Sequence, residues 1–117
     1  MRKILAMLLL VAGSAQAQVT PPMPPGWVWF VYQGKDYLRY IHAVPDASYG
    51  WGENILTGTI DRGTRKAVNI DNGAGRCVYD IRAEAIFGPP YIIRQHNICA
   101  NNVIVLQEAP SRVWPPN

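Results

Sequence analysis

Two pairs of side chains in this 117-residue sequence could form a bond or move a proton together. Cys77 and Cys99 can join as a disulfide, and Asp80 with His96 can supply the acid and imidazole of a general base. Both pairs fall in two strand-like runs, 76–86 (RCVYDIRAEAI) and 91–99 (YIIRQHNIC), separated by Phe87, Gly88, Pro89 and Pro90, which are turn formers. If the runs form a hairpin centred on Gly88, each cysteine lies 11 residues from the centre and the two stand directly opposite. The same register sets Asp80 opposite His96, Arg82 opposite Arg94, and Glu84 diagonal to Arg94.

A bridge across a loop of that length stabilises a fold by about 3 kcal/mol in the chain-entropy description. The charged residues Asp80, Arg82 and Glu84 alternate with Tyr79, Ile81 and Ala83, so one face reads as a solvated ladder of opposite charges. The alternative is that Asp80 orients His96 as the first two members of a triad. That reading lacks a nucleophile, because beyond the leader the serines are Ser48 and Ser111, neither in a nucleophile-elbow context. The partner strand is less regular, with Gln95 and Asn97 on the cysteine side and Ile92 and Ile98 on the charged side. No metal is expected, since the only histidines are His42 and His96 and neither has the spacing of a ligand pair. No cofactor is expected, and no catalytic residue is assigned.

Aromatic residues supply the other candidates. Trp51 sits between glycines in YGWGEN, where it either plugs the end of the fold or, beside Tyr49 and Trp114, presents a ring to a sugar or to an apolar anchor of a protein. Trp27 and Trp29 share a strand face and read as core. His42 reads as an edge-of-core histidine, and Asp71-Asn72-Gly73 as a hairpin turn.

The elements that must hold these residues are strands. Gly, Pro and Asn or Asp clusters recur every 8 to 15 residues between segments rich in Val, Ile, Tyr and Trp. Strands are expected near 27–32, 37–44, 54–60, 64–70, 76–86, 91–99 and 102–107, with little or no helix. Seven short strands fit a single antiparallel β-sandwich, immunoglobulin-like or similar, with a small barrel as the alternative. The strand at 27–32 is apolar on both faces and is expected to lie centrally or under the proline-rich ends.

Residues 1–17 read as a signal peptide: Arg2 and Lys3, an apolar stretch from Ile4 to Ala12, then Ala15-Gln16-Ala17. The stretch is shorter than the roughly 20 residues of a membrane span, and no later run competes with it. Residues 18–26 form a Pro-rich leader, 27–108 the domain, and 109–117 a Pro-containing tail. Without the first 17 residues the chain carries 9 Lys and Arg against 8 Asp and Glu, with no basic cluster suited to nucleic acid. Two cysteines in an exported chain suit an oxidising compartment, periplasmic or extracellular.

Val44-Pro45, Trp51-Gly52 before Ile55-Leu56, Gly63, the run Cys77-Val78-Tyr79-Asp80-Ile81-Arg82, and Cys99 occur together in that order. This combination resembles a group of small exported bacterial β-sandwich domains of uncharacterised function with W-G-x-x-L-L and C-x-Y-D-I-R motifs. Val44 stands where the group has serine, and Arg62-Gly63 where it has Pro-Gly. The resemblance implies a cell-envelope β-sandwich and carries over no catalytic residue. The expected function is a non-catalytic protein-interaction module. The alternatives are a carbohydrate-binding module using exposed aromatics, and a hydrolase or lyase using Asp80 and His96. The expected partner is an envelope protein or a glycan.

Overall fold

The structure, a computed structural model, describes residues 23–107. The signal-like segment, Trp114 and the tail lie outside the described residues. Seven strands follow one another: β1 (Trp27–Gln33), β2 (Tyr37–Val44), β3 (Ile60–Asp61), β4 (Thr64–Asn69), β5 (Val78–Ala85), β6 (Tyr91–Asn97) and β7 (Val103–Gln107). One 3-10 turn, Ala47–Tyr49, is the only helical element among them. The strands form two packed sheets, three-stranded in the order β4-β1-β7 and four-stranded in the order β3-β2-β5-β6. All pairings are antiparallel except that of β1 with β7. The described residues form an all-β sandwich of seven strands closed by one disulfide.

Period-two patterning fills the space between the sheets. From β1, Val28, Phe30 and Tyr32 point inward and are sealed from solvent. They meet Leu38 and Ile41 of β2, Tyr79, Ile81 and Ala83 of β5, and Ile104 and Leu106 of β7 in one buried cluster. Full burial of side chains this size contributes about 1.5–3 kcal/mol each. The Tyr32 hydroxyl donates to Asp36 Oδ1 at 2.5 Å, which satisfies the phenol and pins the link to β2. Burial, and then that carboxylate, raise the Tyr32 phenol above its ordinary range.

Trp27 and Trp29 are not core, contrary to the sequence expectation. A strand offers one parity of residue to the interior, and Val28, Phe30 and Tyr32 occupy it, so both tryptophans lie half-buried on the outer face. The Arg65 guanidinium, on the neighbouring strand, covers the Trp29 ring at 4.2 Å from its centroid. The central position expected for this strand is correct, since β1 lies between β4 and β7.

The expected strand at 54–60 survives only as β3. Asn54 replaces the ladder there: its Oδ1 accepts from the amides of Ile41 at 2.9 Å and Leu56 at 3.0 Å, while its Nδ2 donates to the Leu56 carbonyl at 3.2 Å. A side chain that takes over backbone partners in this way competes with strand pairing.

Asp71-Asn72-Gly73 is not a hairpin turn either, because β4 and β5 belong to different sheets. The loop crosses between the sheets and is organised by the Asp71 carboxylate, which is only 8% exposed. It accepts from the Gly75 amide at 2.6 Å, the Arg76 amide at 2.9 Å and the Tyr79 hydroxyl at 2.5 Å. These bonds, that of Tyr79 first, hold the acid below the usual carboxylate range. Burial and the same acid push the Tyr79 phenol up to about 12.

The β5–β6 hairpin and its disulfide are present, but in a different register. Val78 pairs with Asn97 and Tyr79 with His96, whereas Ile81 pairs with Ile93 and Arg82 with Ile92. Between these pairs Asp80 faces both Arg94 and Gln95, a β-bulge in which Gln95 adopts a positive φ of 50°. Cys77 is therefore opposite Ile98, whose amide donates to the Cys77 carbonyl at 2.7 Å, and Cys99 stands diagonal to it. The Asn97 side chain accepts from the amides of Cys99 at 3.0 Å and Ala100 at 3.1 Å, curling the chain so that the cysteine Cα atoms lie 5.2 Å apart and the sulfurs bond.

Candidate functional site around the Asp80 carboxylate

The bulge decides what surrounds Asp80. Its side chain leaves β5 on the face away from the core, yet it is only 3% exposed, because the loop after β2 and the bulged β6 close over it. A solvated ladder was expected on this face, and a buried acid at the centre of a hydrogen-bonding shell is found. Asp80 Oδ2 accepts from the Ala47 amide at 2.9 Å. Oδ1 accepts from the Gln95 amide and from Gln95 Nε2, both at 2.9 Å. The Arg94 guanidinium adds a longer ionic contact of 3.7 Å. The Ala47 amide first, then Gln95, hold the acid below the usual carboxylate range against the cost of desolvation.

That shell shapes the 45–52 loop. Asp46 caps the 3-10 turn by accepting from the Ser48 amide at 2.9 Å, and the Gly50 amide closes the turn on the Ala47 carbonyl at 3.0 Å. Gly50 and Gly52 take positive φ values of 111° and 72°, which swing the chain back toward β2. There His42 Nδ1 lies 3.2 Å from the Gly52 carbonyl; opposite Arg82, it stands on the face away from the core and not at the core edge expected of it, because Ile41 and Ala43 take the inward positions. The turn leaves Tyr49 at its tip, 91% exposed. Trp51 lies half-buried at its base with the Arg94 guanidinium 5.5 Å from the ring centroid. Trp51 thus neither plugs the core nor stands free, and Arg94 links it to Asp80.

His96 is elsewhere. A residue directly opposite Tyr79 shares its side of the sheet, so His96 and Asp80 lie on opposite sides of the hairpin. Its Nε2 is 2.9 Å from the Asn101 carbonyl, the geometry of an N–H donor closing the turn before β7. The expected Asp80–His96 opposition is corrected, and with it the geometric basis for an acid–imidazole base. The other expected cross-strand charges also differ: Arg82 faces Ile92, and its Nε donates to Glu84 at 3.0 Å along the same strand.

Of the candidates read from sequence, the structure gathers Asp80, Trp51 and Tyr49 and leaves His96 apart. Arg94 and Gln95 were missed as members of the site. Their signal was the spacing of inward residues on β6, which runs 91, 93, 96, 98; the step of three is the extra residue of the bulge. A cleft of about 200 Å³ beside Trp27 and Leu56 is smaller than usual for a small-molecule site, and the Lys66 ammonium at its rim donates to the Thr57 carbonyl. Among the described residues no three His, Cys, Asp or Glu side chains converge as metal ligands, and no helix is long and apolar enough to cross a membrane. The chain matches no family model, no curated protein and no solved structure.

Proposed function

We propose that this chain is an exported, non-catalytic interaction module of the cell envelope that engages a protein partner through the 45–52 loop. The observation that carries the reading is the state of Asp80. Its carboxylate is spent on three hydrogen bonds from Ala47 and Gln95, so it serves as an anchor that pre-forms the loop. A pre-formed loop with an exposed tyrosine at the tip, and a tryptophan and arginine at its base, has the composition of a binding hot spot and loses little entropy on association. Export is supported by the signal-like residues 1–17, by the disulfide, and by the resemblance to small exported bacterial domains.

The test is a photo-reactive phenylalanine analogue placed at Tyr49 in the living cell, with the same analogue at Phe87 as control. Phe87 is also exposed but lies at the β5–β6 turn. Adducts at position 49 that disappear in an Arg94→Ala variant support the reading; equal labelling at both positions, or none, defeats it. A glycan partner is the second reading, favoured by the open ring of Tyr49, which can stack on a sugar. Binding on a glycan array that is lost in Tyr49→Ala would select it.

A further inference from the structure

We propose that the outer edge of β7 pairs with β7 of a second copy of the chain, antiparallel, about a two-fold axis through Val105. Among the described residues the sandwich has four sheet edges, and three carry features that oppose edge-to-edge pairing. β3 is two residues long. β6 is bent by its bulge and bears Arg94. β4 bears Arg65 and Lys66, so a self-pair would bring cations together. β7 reads Val-Ile-Val-Leu-Gln, with no charge, no proline, no glycine and no bulge.

The backbone of β7 is set up for this pairing. The Trp29 amide donates to the Asn102 carbonyl at 2.8 Å and Trp29 is in register with Val103, so Ile104 and Leu106 direct their amides and carbonyls toward β1. Val105 and Gln107 therefore direct theirs outward. Among the described residues no strand lies on that side. The Val103 amide is already taken by Asn101 Oδ1 at 3.1 Å. A two-fold axis at Val105 makes that residue a hydrogen-bonded pair with its own copy and sets Val103 opposite Gln107 of the second copy. On the outer face Val103 and Val105, 41% and 48% exposed, lie beside Trp29 and Val31 of β1, so pairing brings two such apolar rows together without opposing any charges. This surface lies on the other sheet from the Asp80 loop and does not depend on the function proposed for it.

Sedimentation equilibrium of the purified protein across the micromolar to millimolar range, together with amide hydrogen exchange, tests the proposal. The expected result is a mass that rises toward twice the monomer, with protection of the Val105 and Gln107 amides increasing at least about tenfold over the same range. Val105→Pro removes only an outward amide, which an edge strand tolerates, and should stay monomeric with an unchanged circular dichroism spectrum. Val105→Lys and Val105→Glu should each be monomeric alone and should dimerise when mixed. A constant monomer mass overturns the proposal, as does self-association of the lysine variant equal to that of the parent. Protection of both amides that is independent of concentration overturns it too, since the edge is then covered within one chain.

Discussion

Replacing both cysteines, Cys77→Ser with Cys99→Ser, isolates what the cross-link contributes. The two positions are 22 residues apart in sequence. Closing a loop of that length removes about 11 cal/mol/K from the unfolded ensemble, or about 3.4 kcal/mol at 25 °C. Little is lost from packing, because Cys77 is half-buried and Cys99 exposed. For a domain of this size the loss corresponds to a fall in melting temperature of roughly 15–25 °C. In urea the midpoint should fall by about 1–3 M. The assay is urea unfolding followed by tryptophan fluorescence, with the parent protein reduced by dithiothreitol as a second measurement. The reduced parent and the double variant should unfold at the same midpoint, and both should show a steeper slope than the oxidised parent, since an uncross-linked unfolded chain exposes more surface. A difference under about 1 kcal/mol would instead show that the unfolded chain already holds residues 77 and 99 close together, so that the cross-link removes little entropy.

The two faces of β1 should respond differently to truncation: Phe30→Ala should cost about 3–5 kcal/mol and Trp29→Ala clearly less, measured by the same unfolding assay. Gly26→Ala should destabilise, since φ there is +87° and the added methyl would stand 2.6 Å from Asp71 Cβ, which reopens the inter-sheet loop and deprotects the Gly75 amide in hydrogen exchange. Asp46, Asp71 and Asp80 all have folded pKa values below the ordinary carboxylate value. Their contribution to stability is therefore complete above the unfolded value of about pH 4 and is lost as pH falls through the lower folded values. Urea midpoints should fall steeply below pH 4, and Asp80→Asn should show a shallower acid slope than the parent.

Alternation of apolar residues made the strands legible, and the turn formers around Gly88 made the hairpin and its disulfide legible. What alternation alone does not show is a slip within a strand. Sliding one residue at Gln95 exchanged the neighbours of Asp80, replacing His96 with Arg94 and Gln95. A second slip between Leu38 and Tyr40 does the same on β2, where the inward residues step from 38 to 41. Short links were equally ambiguous: DNGAG has the composition of a hairpin turn but spans the sheets, because the Asp71 side chain supplies hydrogen bonds that a neighbouring strand would otherwise make. The burial of Asp80 depends on a loop more than 30 residues away in sequence, and no local pattern encodes that contact.

The parallel contact between β1 and β7 governs the timing of folding. During synthesis β1 must wait for β7, about 70 residues later, before its sheet can close, and meanwhile Val28, Phe30 and Tyr32 face solvent beside Trp27 and Trp29. Among the described strands only the β5–β6 hairpin is local enough to form early, so the sandwich should fold slowly for its length, over milliseconds or longer, and its completion should follow the emergence of β7. During that interval the waiting strand is a natural target for a holding chaperone.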